Sequence, residues 1–304
     1  MVENQMGVTA LVTAFSRAYH SITDEPKIFD DFLAIQLFNK MEEDFFRKSI
    51  GSLYSFCNPE PAAPELDTDS ALAWVMQNLN GSITLCRSRF SEERLLDSIQ
   101  QGIGQYVILG AGMDTFAFRR PDWAASLQIF ELDHPVTQAM KRQRIEAAGW
   151  KIPEELHFVP IDFSNQDIST VLLQSGFDPH QPAFISWLGV TFYLTREVVL
   201  STLCSLAATI PAGSQVVFDY LNNEAFTPDK MDQRLQSMQS IVQQAGEPMK
   251  TGFDPRQLEM ELAQADFQVK ENLAPDDLEL RYFQQRNDNY HAFPHIHLML
   301  AEKK

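Results

Sequence analysis

Two glycines one residue apart, Gly110 and Gly112, follow the short apolar run Gln105-Tyr106-Val107-Ile108-Leu109. The run reads as a buried strand. A turn without Cβ atoms folds tightly and lets a ligand approach the backbone. About twenty residues on, Leu127-Gln128-Ile129-Phe130-Glu131-Leu132-Asp133 reads as a second strand that ends in an acid. A glycine turn after one strand and a carboxylate closing the next is the layout of a nucleoside site. The glycines face the ligand, and the carboxylate takes the ribose hydroxyls.

Two cofactor classes share that layout. A dinucleotide fingerprint asks for a third small residue and sets a pyrophosphate against a helix N-terminus. Here Thr115 holds the third position and Asp114 lies inside the turn. A negative charge there opposes a pyrophosphate and suits a ligand carrying an ammonium or sulfonium group. S-adenosylmethionine is therefore favoured over NAD. A nicotinamide-dependent oxidoreductase and a plain strand-to-helix connection remain the competing readings.

Methyl transfer from a sulfonium to an oxygen is an in-line displacement. The protein holds acceptor and methyl carbon aligned, which is worth about 7–11 kcal/mol, and excludes water. An alcohol acceptor needs a base; an ionised carboxylate needs none. The catalytic candidates are Tyr193, after the fourth strand, and His20, on an N-terminal helix. Asp219-Tyr220 closes the fifth strand in a similar way. His134 follows the ribose acid and reads as a loop-orienting residue. His295 and His297 share one face of a late strand, but no third ligand accompanies them, so no metal site is expected. Phe15, Tyr19, Phe29 and Phe32 read as core, with substrate contact as the alternative. Taken alone, Arg87 and Arg89 read as surface ion-pairing residues.

The string Val107-Ile108-Leu109-Gly110-Ala111-Gly112-Met113-Asp114-Thr115-Phe116-Ala117-Phe118-Arg119 closely resembles the leucine carboxyl methyltransferase family, class I S-adenosylmethionine-dependent enzymes with a bacterial O-methyltransferase-like branch. Four further segments agree in order and spacing: Arg87-Ser88-Arg89-Phe90, Phe130-Glu131-Leu132-Asp133-His134-Pro135, Val159-Pro160-Ile161-Asp162-Phe163 and Trp187-Leu188-Gly189-Val190-Thr191-Phe192-Tyr193-Leu194-Thr195. The likeness runs from about Thr9 to the C-terminus. It implies that Arg87 binds the methionine carboxylate of the cofactor, and a guanidinium offers a carboxylate the planar bidentate contact a lysine cannot. It places Gly110 under the methionine part with Gly112 beside it, and Asp133 on the ribose. It sets Asp162 and Phe163 at the adenine, and Arg17 matches a second family arginine. Leu188 occupies a cofactor-site position where the protein-phosphatase-methylating branch carries a glutamate. That departure removes the ground for carrying over that branch's protein substrate.

The elements that must position these residues follow from periodicity. Residues from Val8 to about Asn80 read as helices, with segments at Thr9–Ser21, Phe29–Arg47 and Leu66–Leu79. The proline-rich stretch Phe56–Pro64 reads as irregular. Ser91 reads as the N-cap of the next helix. From Gln105, apolar runs alternate with helical stretches, which predicts a parallel sheet covered on both faces. The late runs Phe267–Asn272 and His295–Ala301 have no helix between them and are expected to pair antiparallel. The expected fold is α/β and Rossmann-like, a mostly parallel seven-stranded sheet with an antiparallel last strand. Residues 1–90 form a helical cap, and 91–304 form the core. A polar, glutamine-rich helical insertion near 222–251 closes over the strand ends, where open α/β sheets bind ligands.

Bulk properties bound the partners. The chain has 304 residues, 44% hydrophobic and 21% charged, which is ordinary globular composition. A net charge of −17 repels a phosphate backbone and an anionic membrane surface, so neither nucleic acid nor membrane is expected as partner. Cys57, Cys86 and Cys204 are scattered, and Met1–Gln5 shows no apolar signal core, both of which suit a cytoplasmic protein. The expected activity is O-methylation of a small-molecule hydroxyl, polyketide-like or of another secondary metabolite, with S-adenosylmethionine as cofactor and S-adenosylhomocysteine as product. Methylation of a carboxylate on a small acid or a protein C-terminus is the alternative, as is a cofactor-binding protein without turnover.

Overall fold

The apolar run before the glycine turn, Gln105–Leu109 (β1), is buried at all five positions. In the computed structural model it lies inside a single sheet of eight strands. The structure describes residues 8–59, 64–163 and 165–304; Met1–Gln5 and Glu60–Ala63 of the proline-rich stretch lie outside the described residues. The other strands are Gln128–Asp133 (β2), Leu156–Pro160 (β3), Ala183–Trp187 (β4), Gln215–Asn222 (β5), the two-residue Gly252–Phe253 (β6), Phe267–Leu273 (β7) and Ile296–Lys303 (β8). Their order is β3-β2-β1-β4-β5-β8-β7, with β6 paired to the end of β5. Among the described strands β8 pairs antiparallel with both β5 and β7, and every other pair is parallel. Counting β6 makes the sheet one strand larger than its sequence signal, because two residues show no periodicity.

Alternation along the strands sends side chains into two cores. Tyr106 and Ile108 join one cluster with Phe184, Val217 and Leu298; Val107 and Leu109 join the other with Ile185, Phe218 and Met299. Both faces are therefore covered, as a parallel sheet requires. The chain moves from β1 outward to β3, then returns to the far side of β1 as β4. That reversal leaves a crevice at the carboxyl ends of β1 and β4.

The N-terminal helices are Val8–Thr23 (α1), Lys40–Gly51 (α2), Leu53–Cys57 (α3), Thr68–Asn78 (α4) and Asn80–Gln100 (α5). Their own core gathers Leu11, Phe15, Tyr19, Phe46, Leu72, Val75 and Met76, and Met113 of the glycine turn plugs into it. Phe15 and Tyr19 are thus core residues, as is Phe29, whereas Phe32 is exposed. The helix expected over Phe29–Arg47 is broken. Asn39 caps α2 by accepting from the Glu42 N–H while the Glu42 carboxylate accepts from the Asn39 N–H, and only a single 3-10 turn, Ala34–Leu37, precedes it. Ser91 is no N-cap. It is buried in the middle of α5, which begins at Asn80 and runs unbroken through position 90.

The remaining helices are Phe116–Arg119 (α6), Pro135–Ala147 (α7), Ile168–Gln174 (α8), Arg196–Thr209 (α9), Gln233–Gln244 (α10), Pro255–Gln264 (α11) and Pro275–Leu278 (α12). The short α12 and a wide turn over Glu279–Phe283 separate β7 from β8, where no helix was expected. Pro275 starts α12, and the Asp277 carboxylate accepts from the Ala274 N–H. No described helix is long and apolar enough to cross a membrane.

Candidate functional site

Both turn glycines take backbone conformations that L side chains rarely adopt, φ +70° at Gly110 and +50° at Gly112. Space is tight as well. A Cβ on Gly110 would lie 2.8 Å from Cγ2 of Val190, and one on Gly112 would lie 3.2 Å from Cβ of Ala10. The turn is pinned to the next strand. Gly110 and Ala111 donate their N–H groups to the Leu132 carbonyl at 2.8 and 3.2 Å. The Gly112 N–H donates to one oxygen of Asp133 at 2.5 Å, and the His134 N–H to the other at 2.6 Å. Burial raises the Asp133 carboxyl above its usual value, against the pull of those two amide donors. Each carboxylate oxygen keeps a further lone pair for a ligand. Asp114 accepts from the Phe116 N–H at 2.8 Å and so caps the turn that follows.

Two arginines reach the site from the helices, one at this turn and one at the turn after β4. Arg17 on α1 donates to Asp31 at 2.8 Å and to the Met113 carbonyl at 2.7 Å. Asp31 is fully buried and also accepts from Thr115 Oγ1 at 2.5 Å, with Arg119 at 3.4 Å. Burial alone would raise its carboxyl; Arg17 and Arg119 outweigh that and hold it below the usual value. Arg119 in turn makes two 2.7 Å bonds to Glu92. Arg87 on α5 donates to Asp219 at 3.1 Å, and the second oxygen of Asp219 accepts from the Gly189 N–H at 2.6 Å. A Cβ on Gly189, where φ is +71°, would lie 2.6 Å from the Arg87 guanidinium. Arg87 and the turn after β4 therefore fix each other.

These residues open onto one cavity of about 590 Å³, within the ordinary range for small-molecule sites. Arg17, Arg87, Gly110, Gly112, Asp133, Leu188 and Tyr193 all line it. Tyr106 and Ser186 form part of the wall, with their hydroxyls 2.9 Å apart. The other half of the wall is largely apolar and comes from Met76 on α4 and Leu79 after it, Met238, Ile241 and Val242 of α10, and Met249 beyond it. Burial, and after it the Glu247 carboxylate, push the Tyr193 phenol above its ordinary value, so at neutral pH it is a proton-bearing donor.

Three candidates lie elsewhere. Asp162 sits half-buried past the end of β3, where Asn165 donates to it at 2.6 Å, and Phe163 packs against the core cluster that holds Leu109 and Leu132. His20 is fully buried, and both ring nitrogens are engaged. Nε2 accepts from the Ile28 N–H at 2.7 Å, which leaves the proton on Nδ1 for Asp24 at 2.7 Å. His134 caps α7, accepting from the Val136 N–H at 3.3 Å. Tyr220 bonds Asn272 at 2.9 Å on the core side of the sheet. His297 stacks on the Tyr220 ring and His295 meets Asn222 at 3.0 Å; among the described residues no group of three metal-ligating side chains occurs.

Sequence reading missed Ser186, Asn80 and Glu247. A serine buried in an otherwise apolar strand flags the first. Asn80 donates to Ser16 across the cavity wall at 2.9 Å, which nothing local announces. Glu247 has a signal: Gly246 takes φ +84° and ends α10, with Gly246 N–H bonded to Gln243 O at 3.0 Å and Glu247 N–H to Val242 O at 2.9 Å. That paired C-terminal pattern points the next residue in a defined direction.

The family model for leucine carboxyl methyltransferase matches residues 10–207. A candidate S-adenosyl-L-methionine-dependent methyltransferase of Bacillus subtilis, YktD, is 40% identical over 305 residues, spanning 100% of each chain. One from Mycolicibacterium smegmatis, of the same description, is 31% identical over 71% of this chain and 67% of its own length. Among solved structures, a DUF574 family protein from Streptomyces avermitilis superposes with a TM-score of 0.53 at 13% identity, covering 84% of this chain and 97% of its own. A candidate methyltransferase from Thermobifida fusca gives 0.54 at 16%, covering 84% and 94%. The two structures share the fold.

Proposed function

The chain belongs to the leucine carboxyl methyltransferase family, and from that premise we propose that it transfers the methyl group of S-adenosylmethionine to a hydroxyl oxygen of a small apolar molecule. It is an S-adenosylmethionine-dependent methyltransferase; the acceptor is what the proposal adds. The cavity suits that cofactor. Its glycine turn leaves little room for a Cβ, and the half-buried Asp133 carboxylate and Arg87 guanidinium line it. When bound, the cofactor supplies an electrophilic methyl carbon on a sulfonium.

On this reading Gly110 and Gly112 bring the backbone against the methionine part, Arg87 takes its carboxylate, and Asp133 orients the ribose hydroxyls. Asp162 and Phe163 flank the adenine at the edge of the sheet. Arg17, bonded to Asp31 and Met113 O, holds the turn in place, and Leu188 shapes the wall beside it. The cap over residues 1–90 and the insertion near 222–251 exclude water from the core of residues 91–304.

One observation carries the choice of acceptor: among the described residues the acceptor half of the wall offers a carboxylate no buried cation. Among the described lining residues the basic ones are Arg17, Arg87 and Lys250. On this reading Arg87 is already taken by the methionine carboxylate, Arg17 is paired to Asp31, and Lys250 is exposed to solvent. Glu247 would repel a carboxylate, and Tyr193 would donate to a neutral oxygen. A polyketide-like or other secondary-metabolite hydroxyl fits the apolar wall. The unpaired cysteines Cys57, Cys86 and Cys204 support a cytoplasmic setting.

The test is to incubate the enzyme and methyl-labelled cofactor with matched phenols, alcohols and carboxylic acids. Alkali then separates the products. Label retained as a methyl ether supports the proposal; label released as methanol from an ester, with no ether formed, would replace it with carboxyl methylation.

A further inference from the structure

A hydroxyl acceptor must lose a proton, and no histidine lines the cavity among the described residues. Three carboxylates do: Asp114, Asp133 and Glu247. Asp114 and Asp133 belong to the glycine turn and the strand beside it. Glu247 stands apart, on the segment that leaves α10, among Met238, Ile241, Val242 and Met249.

Three contacts fix where it points. Its backbone is locked by the pattern that ends α10. The segment is then tied to the turn after β4, since Lys250 donates its N–H to the Phe192 carbonyl at 2.7 Å. Across the cavity, Thr9 Oγ1 donates to Oε2 of Glu247. Thr9 precedes Ala10, the residue that packs on Gly112. Glu247 therefore bridges the cofactor turn, through α1, to the neighbourhood of Tyr193, whose phenol feels its charge.

We propose that Glu247 is the general base of the reaction, accepting the acceptor's hydroxyl proton on Oε1 while Thr9 orients the carboxylate through Oε2. The inference rests on the hydroxyl reading above. In the step, a lone pair of the acceptor oxygen forms the bond to the methyl carbon. The carbon–sulfur bond breaks with its electron pair left on sulfur, and the hydroxyl proton passes to Glu247. A sulfonium and a carboxylate become a thioether and a neutral acid, so two opposite charges vanish together inside an enclosed site. A base held by a third group within hydrogen-bond reach is the recurring arrangement for activating a hydroxyl.

The probe is 4-nitrophenol, whose colour distinguishes phenol from phenolate. It is titrated into the full-length native protein, E247Q and T9V, each saturated with S-adenosylhomocysteine, across the pH range in which the probe ionises. The native complex is expected to prefer the neutral phenol by at least about tenfold, because the carboxylate accepts from it and repels the phenolate. E247Q loses that preference while keeping its affinity for S-adenosylhomocysteine. With S-adenosylmethionine in place, transfer by E247Q is about 10²- to 10⁴-fold slower where the probe is protonated, and recovers as the probe ionises and needs no base. T9V is slowed less and keeps the native pH profile. An E247Q protein with native preference and native rate overturns the role of Glu247 and leaves the proposed function standing. A native complex that binds neither form saturably overturns the proposed function itself, and this inference with it.

Discussion

The cavity has two halves built by different means. The half proposed to take the cofactor is made of strand ends: the glycine turn after β1, Asp133 at the end of β2 and the turn after β4, joined by backbone N–H groups bonded to carboxylates and by the Arg87–Asp219 pair. The acceptor half is made of helices that approach from far along the chain, so that Thr9 and Glu247 meet across 238 residues. The first half is defined by backbone conformations and close approaches, the second by apolar side chains. A common reaction with a variable acceptor is expected to leave this division, with function changing where loops and helices cover a fixed sheet.

If the division is right, changes in the cofactor half have the larger effects. Arg87→Ala leaves Asp219 buried beside an empty space, and breaking such a pair costs about 3–5 kcal/mol. The unfolding midpoint in urea should fall accordingly and cofactor affinity should vanish; a variant of native stability would show that the Gly189 N–H alone satisfies Asp219. Gly189→Ala forces a methyl group toward the Arg87 guanidinium at an unfavourable φ, a strain of about 1–3 kcal/mol. The same denaturation measures it, and Gly149→Ala, also at positive φ but facing open space, should cost less.

A pH-dependent effect comes from the buried Lys141–Glu131 pair. Lys141 meets Glu131 at 2.5 Å, and burial pushes the Glu131 carboxyl up to about 7. An acid whose value is higher when folded binds protons on folding, so its share of stability is present at low pH and is lost as pH rises. Between about pH 4.5 and 7 this group should make the thermal midpoint fall with rising pH. Subtracting the profile of Glu131→Gln from the native one isolates that slope; a difference that is flat or rises would contradict the account. The least effect on the cofactor is expected from the acceptor half. Met249→Ala should leave S-adenosylhomocysteine affinity within about twofold, while calorimetry finding a tenfold loss would merge the two halves.

The same division explains what the sequence discloses. Gly110, Gly112 and Asp133 are legible because sterics and strand periodicity confine their signals to a few adjacent residues. Arg87 is legible only through its motif, since one arginine on a helix says nothing of Asp219, a distant strand residue. Asp162 and Phe163 fall within a recognisable motif, yet Asn165 and the core surround their side chains, which no spacing foretells. His20 carries the chemistry of a base, but two hydrogen bonds spend both its nitrogens. Ser91 satisfies a capping pattern that the longer apolar face of α5 overrides. Glu247 looks like one more acid in a polar segment until Gly246 ends its helix and Thr9 arrives from the other end of the chain.

The central claim is that the glycine turn and Asp133 hold S-adenosylmethionine, and its most direct test is calorimetric titration of the native protein and Asp133→Ala with S-adenosylhomocysteine. The account predicts micromolar binding by the native chain and at least a tenfold loss in the variant, with the fold intact by circular dichroism. Folded native protein that takes up no ligand, or a variant that binds as tightly as the native chain, would contradict it.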